Sequence, residues 1–162
     1  MNFFFGSPAP KLDPLEEAKE WKRKLAKEMR RMDRETDDMK RMEKKVLAEC
    51  KKLVKSNQIK TVREIYGREI IRNRKTIERI MTAKAQMNSV SMALQSSIAL
   101  MKVQGVMSKS TDIMKAMRGL IGIPEVNATM QEMAREMERA GLVEEMIADA
   151  FALSGWKLLI EL

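Results

Sequence analysis

From Pro14 to Pro124 the chain contains no intervening proline, and its 162 residues include no histidine, a single cysteine and few aromatic side chains. Each absence removes a possibility. Without proline, nothing in that span forces a helix to kink or stop. Without histidine, imidazole acid–base catalysis and His-ligated metal are excluded. One thiol, Cys50, cannot make an internal disulfide, and a reducing compartment is expected. Aromatics at 4% leave the core to Leu, Ile, Val and sixteen methionines, a soft and repackable set.

Long apolar runs are missing too. The longest uncharged stretch, Ala85 to Met101, contains Gln86, Asn88, Ser89, Ser91, Gln95, Ser96 and Ser97, which is too polar to cross a bilayer. No signal peptide is read either, because Phe3, Phe4 and Phe5 follow no basic region and run into Gly6-Ser7-Pro8. One soluble, modest all-helical domain is expected for this length.

What is present is charge and period. The net +8 is unevenly placed: residues 1–58 carry +5, residues 59–118 carry +8 and residues 119–162 carry −5. A body of +13 points to an anionic partner, and the acidic end could fold back on that body. Asp13 offers an N-cap, Pro14 suits a first turn and Glu16 has capping-box spacing. From there Ala18, Leu25, Met32, Met39, Val46 and Leu53 recur every seven residues, with Met29, Thr36 and Cys50 on the second seam and Glu43 as its break. That predicts a helix of roughly 40 residues, about 60 Å long.

The polar trio Ser56-Asn57-Gln58 is the predicted turn. Beyond it Ile59, Tyr66, Asn73, Ile80, Met87, Leu94 and Met101 repeat the seven-residue period, alongside Ile70, Ile77 and Ile98. So short a connection forces the two rods antiparallel. Gly105 with Ser108 and Ser110 marks a break, a short helix is predicted near Thr111–Leu120, and Pro124 restarts the chain. Val126, Met130, Met133, Met137 and Ala140 then form a stripe ending at Gly141. The expected organisation is a tip (1–12), a helical core (13–150, with a hairpin over 13–104 and short helices over 107–150) and a divergent tail (151–162).

On the first helix the outward heptad positions net +7 and include Arg23, Lys24, Lys27, Arg30, Arg31 and Arg34; the remaining positions net −2. Arg68, Arg72, Lys75 and Arg79 form a second basic stripe at i, i+4, i+7 and i+11. An ordinary solvated face would mix signs. These residues, with Phe3, Phe4 and Phe5 for shallow insertion, are therefore the candidates for contact with anionic lipid. The alternative polyanion is nucleic acid, bound through phosphates by a basic coiled-coil module. Trp21 is the only base-stacking aromatic within the stripes, which argues against single strands, and no nucleic-acid partner is expected. A coiled-coil spacer with no anionic partner is the third reading. The methionines are read mostly as core, with Met87, Met92, Met114, Met117, Met130, Met133 and Met137 as candidates for adaptable assembly contacts. No phosphate-cradling loop, acid–base dyad or activated nucleophile is found, so neither catalysis, cofactor nor metal is expected.

Several blocks resemble the ESCRT-III family: Ala83-Lys84-Ala85-Gln86-Met87-Asn88-Ser89-Val90, Lys109-Ser110-Thr111-Asp112-Ile113-Met114-Lys115-Ala116-Met117, Ile123-Pro124-Glu125 and Ala140-Gly141-Leu142-Val143-Glu144-Glu145-Met146-Ile147. Lys27-Glu28-Met29-Arg30 and Phe5-Gly6 fit as well, so the likeness runs from the tip to about Ala150. The resemblance implies a cytosolic subunit that becomes a membrane-bound polymer on endosomes, peripheral to late endosomes and multivesicular bodies. Such polymers drive budding away from the cytosol and cargo sorting, and an AAA ATPase disassembles them. It further implies membrane contact through the basic hairpin faces, and contacts with like or related subunits on the hairpin and the helices after Gly105. Relatives continue into a longer acidic tail that folds back as an autoinhibitor and ends in a helix recognised by the ATPase. From Phe151 to Leu162 this sequence departs from that pattern, which leaves direct ATPase recruitment and normal autoinhibition in question.

Overall fold

Pro14 opens the first helix, as its fixed φ favours, and α1 runs unbroken over Pro14–Lys55. The computed structural model describes residues 13–161. Asp13 is the N-cap residue by position, but its side chain makes no capping hydrogen bond. The expected capping box is therefore absent; Glu16 and Glu17 in the first turn favour the helix end through the macrodipole instead.

At the far end the predicted trio makes the turn. Asn57 takes a left-handed conformation (φ 62°), which Asn tolerates better than most residues, and the Gln58 N–H returns to the Leu53 carbonyl at 2.9 Å. The return rod is α2 (Ile59–Thr61), one π-helical turn (Val62–Tyr66) and α3 (Gly67–Gln104). The two arms are antiparallel. Lys22 donates to Gln95, Asp33 meets Lys84 at 2.5 Å and Glu43 meets Arg74 at 2.7 Å, so numbers rise on α1 as they fall on α3.

α3 stops at Gly105, whose φ of 73° suits glycine and whose N–H caps the Met101 carbonyl at 2.7 Å. α4 (Thr111–Arg118) starts at a real cap, with the Ser110 hydroxyl accepting from the Ile113 N–H at 3.3 Å. The Ser110 N–H donates to the Leu142 carbonyl at 2.9 Å and ties this start to the loop beyond α5. α5 (Asn127–Arg139) follows the predicted methionine stripe. α6 (Glu145–Ile160) then runs straight through residue 150, where the sequence pattern changes.

The core sits at the open end of the hairpin. Ala18, Trp21, Leu25 and Met32 from α1 meet Ile80, Met87, Val90 and Leu94 from α3 under a cover of α4, α5 and α6. Toward the turn the cover ends, and from Lys40 to Lys75 only Cys50 is buried. Two helices alone can bury only the seam between them, so Val46, Leu53, Tyr66 and Ile70 stay half-buried. The all-α hairpin with short packing helices is as the periodicity predicted.

Candidate functional site

The basic residues fall into two populations, and their neighbours separate them. On the first half of α1, Arg23 pairs with Glu20 at 2.7 Å. Lys24 reaches Glu136 of α5 at 2.9 Å, where the Trp21 indole N–H also donates at 2.9 Å. Arg31 pairs with Glu28 at 2.5 Å and Glu35 at 3.1 Å, and donates to the Glu125 carbonyl at 2.8 Å. Arg79 of α3 pairs with the Glu125 carboxylate. The Glu28 hydrogen bond, above all, raises the Arg31 pKa, as the Glu125 hydrogen bond does for Arg79. Lys24, Arg31 and Arg79 thus tie down the acidic segment around α5, and Trp21 is buried with its polar atom satisfied.

The other candidates are free. Lys27, Arg30, Arg34, Arg68, Arg72 and Lys75 are all exposed, and none makes an ion pair among the described residues. The last three belong to a larger group. Residues 40–75, the uncovered half of the hairpin, carry thirteen basic and four acidic side chains, net +9. All thirteen cations are exposed, and only Arg41, Lys52 and Arg74 have carboxylate partners, Asp38, Glu49 and Glu43. By contrast residues 13–39 carry eight basic and nine acidic groups, and residues 105–161 carry six and nine. Charge separates along the rod more strongly than around it.

Lys60 and Arg63 lie outside the basic stripes read from the sequence. Their signal was local charge density at the turn, which a heptad register does not report. Among these cations Val54, Ile59, Ile65 and Ile71 are also exposed, so the turn end mixes charge with aliphatic surface. Phe3, Phe4 and Phe5 lie outside the described residues.

The methionines assigned to assembly contacts fall differently. Met87, Met114, Met117, Met130, Met133 and Met137 are buried inside the chain, filling the layer between the hairpin and its cover. In this conformation they are core, because five short helical faces converge there and the flexible thioether fits the irregular space. Met92 alone of the seven is exposed. Residues 13–161 include no helix long and apolar enough to cross a membrane and no group of His, Cys, Asp and Glu that could hold a metal ion.

A helical hairpin with a short-helix cover and a one-signed free end is the class of fold these residues build. The Snf7 family model matches residues 20–155, and the chain belongs to this family, the ESCRT-III type that its sequence blocks resemble. It is similar to charged multivesicular body protein 3 of Homo sapiens and of Bos taurus, 44% identical over 138 residues in each case and covering 85% of this chain. The Xenopus laevis protein of that name is 39% identical over 141 residues, again covering 85% of this chain. The chain spans 62% of the length of each of these relatives.

Proposed function

We propose that this chain is an ESCRT-III-type subunit that assembles on endosomal membrane, holding the anionic surface chiefly through the turn half of its hairpin. Sorting of cargo into multivesicular bodies and membrane remodelling are the roles that fit the family and the relatives' name. The observation that carries the reading is the +9 of residues 40–75, with every cation exposed. Basic groups near an anionic leaflet contribute about 1 kcal/mol each, and the field decays within roughly 8 Å at physiological salt. A narrow, uncovered rod end brings many charges inside that distance, whereas at the covered end Lys24, Arg31 and Arg79 are held by Glu136, Glu28 and Glu125, and fewer cations, among them Lys27, Arg30 and Arg34, stay unpaired. Related subunits are the expected protein partners; recruitment of an AAA ATPase is not part of this reading.

The test is co-sedimentation with vesicles of phosphatidylserine and phosphatidylcholine. Reversing Lys51, Lys52, Lys55 and Arg63 to Glu should lower affinity at least about 100-fold, by the lipid scale of about 1 kcal/mol per charge. Reversing Arg23, Lys24, Lys27, Arg30 and Arg31 should cost less binding and more stability. Equal binding to neutral vesicles, or the opposite ranking of the two variants, would overturn the proposal. Duplex DNA should compete poorly against the vesicles; strong competition would favour a nucleic-acid module.

A further inference from the structure

α6 is apolar on two sides, and the fold uses only one of them. Ile147, Ala148 and Phe151 are buried in the core. Leu153, Trp156, Leu159 and Ile160 are 66 to 78% exposed. At 3.6 residues per turn these four fall within an arc of about 120°, a ridge two turns long with Lys157 on its flank. A helix apolar on both sides is ordinarily covered on both. No other eight consecutive residues of the described chain expose four large apolar side chains. Residues 156–160 also lie beyond the Snf7 match, so the ridge belongs to this chain rather than to the family pattern.

Position ties the ridge to the basic half of the hairpin. The Asn127 amide donates to the Phe151 carbonyl at 3.4 Å, and Leu158 and Leu159 share a groove with Pro124 and Ala128. The second half of α6 therefore lies beside the start of α5, where Glu125 holds Arg31 and Arg79. Arg79 is four residues, about 6 Å, from Lys75, and Arg31 is three residues from the unpaired Arg34. The ridge thus stands at the edge of the cover, where the exposed cations of residues 40–75 begin. Glu145 and Asp149, exposed on the first half of α6, confine it to that edge.

We propose that this ridge inserts shallowly into an anionic bilayer while the adjoining cations hold the phosphates; the inference rests on the reading of the turn half as the lipid contact. Trp and Leu are residues that an interfacial helix buries, to a depth of about 5 to 10 Å. Lys157 lays its stem along them and keeps its ammonium among the headgroups. Sixteen residues make about 24 Å, short of a hydrocarbon core of roughly 30 Å, so α6 lies in the surface rather than across it. Weak apolar insertion becomes firm anchoring when a basic patch shares the load. A second copy would set these cations against their own kind, whereas a phospholipid surface answers both the charge and the ridge.

Trp156 reports the event directly, because the other indole, Trp21, is 2% exposed and held by Glu136. With vesicles of phosphatidylserine and phosphatidylcholine, emission of the full chain should move to the blue and be quenched by brominated acyl chains. Trp156→Phe should abolish both changes. Leu153→Gln with Leu159→Gln, which alters no charge, should weaken vesicle binding at least about tenfold with helicity unchanged. Vesicle-bound chain whose emission and quenching stay as in buffer would overturn this proposal and leave the turn-half reading intact. A chain that does not sediment with the vesicles overturns both. Emission already blue in buffer and unmoved by vesicles would show that the chain or a second copy covers the ridge, which also overturns it. Quenching that persists undiminished after reversal of Lys51, Lys52, Lys55 and Arg63 would keep the ridge and sink the turn-half reading.

Discussion

The two ends of the hairpin share a helix pair and differ in almost everything else. At the open end α1 and α3 are roofed by α4, α5 and α6, side chains such as Leu25, Met32 and Leu94 are wholly buried, and acids balance bases. At the turn end nothing covers the pair, Cys50 is the only buried residue from 40 to 75, and the net charge is +9. Mutual repulsion among thirteen exposed cations works against compactness there, and no core offsets it. The lesson is that packing and unpaired charge occupy opposite ends of one rod, and the proposed function assigns recognition to the second. The covered end holds the fold, and the uncovered end keeps a density of charge that an anionic partner would neutralise.

Mutations should divide along this line. Leu25→Ala, in the roofed end, should cost about 3 kcal/mol in urea unfolding, because the cavity cannot collapse under three further helices. Leu53→Ala, on the same seam but half-exposed, should cost about 1 kcal/mol or less. Equal costs would erase the distinction between the two ends. Hydrogen exchange provides the next contrast. Amides of residues 40–75 should exchange at least about tenfold faster than those of residues 80–98, with the π-helical turn Val62–Tyr66 among the fastest, since few buried contacts hold them. Uniform protection would show the turn end to be as firmly packed as the base.

A smaller effect concerns Gly105. Replacement by Ala at φ 73° should destabilise the end of α3 by about 1 kcal/mol, read as a lower urea midpoint with an unchanged slope. The smallest is a pH effect at Glu43. Hydrogen bonding to Arg74 keeps its carboxyl below the usual 4.5. The folded state therefore binds this proton less readily than the unfolded chain. The resulting stabilisation is full above about pH 4.5 and is lost as pH falls through the lowered folded value. Glu43→Gln should flatten that acid slope slightly, and an unchanged slope would show that the pair contributes nothing.

Much of this architecture is legible in the residues themselves. The absence of proline, the seven-residue period and Ser56-Asn57-Gln58 are local signals, and they predict two rods and their reversal. The methionine stripe from Val126 to Ala140 likewise reads as α5. The candidate site is only partly legible. Lys24, Arg31 and Arg79 look like members of basic stripes until α5 and the loop before it bring Glu136 and Glu125 against them. Trp21 looks free until Glu136 accepts its N–H. Periodicity tells which side of a helix faces outward, but not what then folds over that side. The same blindness applied to Met130, Met133 and Met137, which a soft repackable seam allows equally in a core or at a contact.

By itself the sequence determined the two long rods, the place of the reversal, the stripe of α5 and the overall excess of positive charge, because each depends on residues close together in the chain. Only the tertiary structure decided which cations remain available and which side of α6 is left bare. Those outcomes depend on where the cover of short helices ends. That boundary is set by packing between residues as far apart as Lys24 and Glu136, and no local pattern contains it.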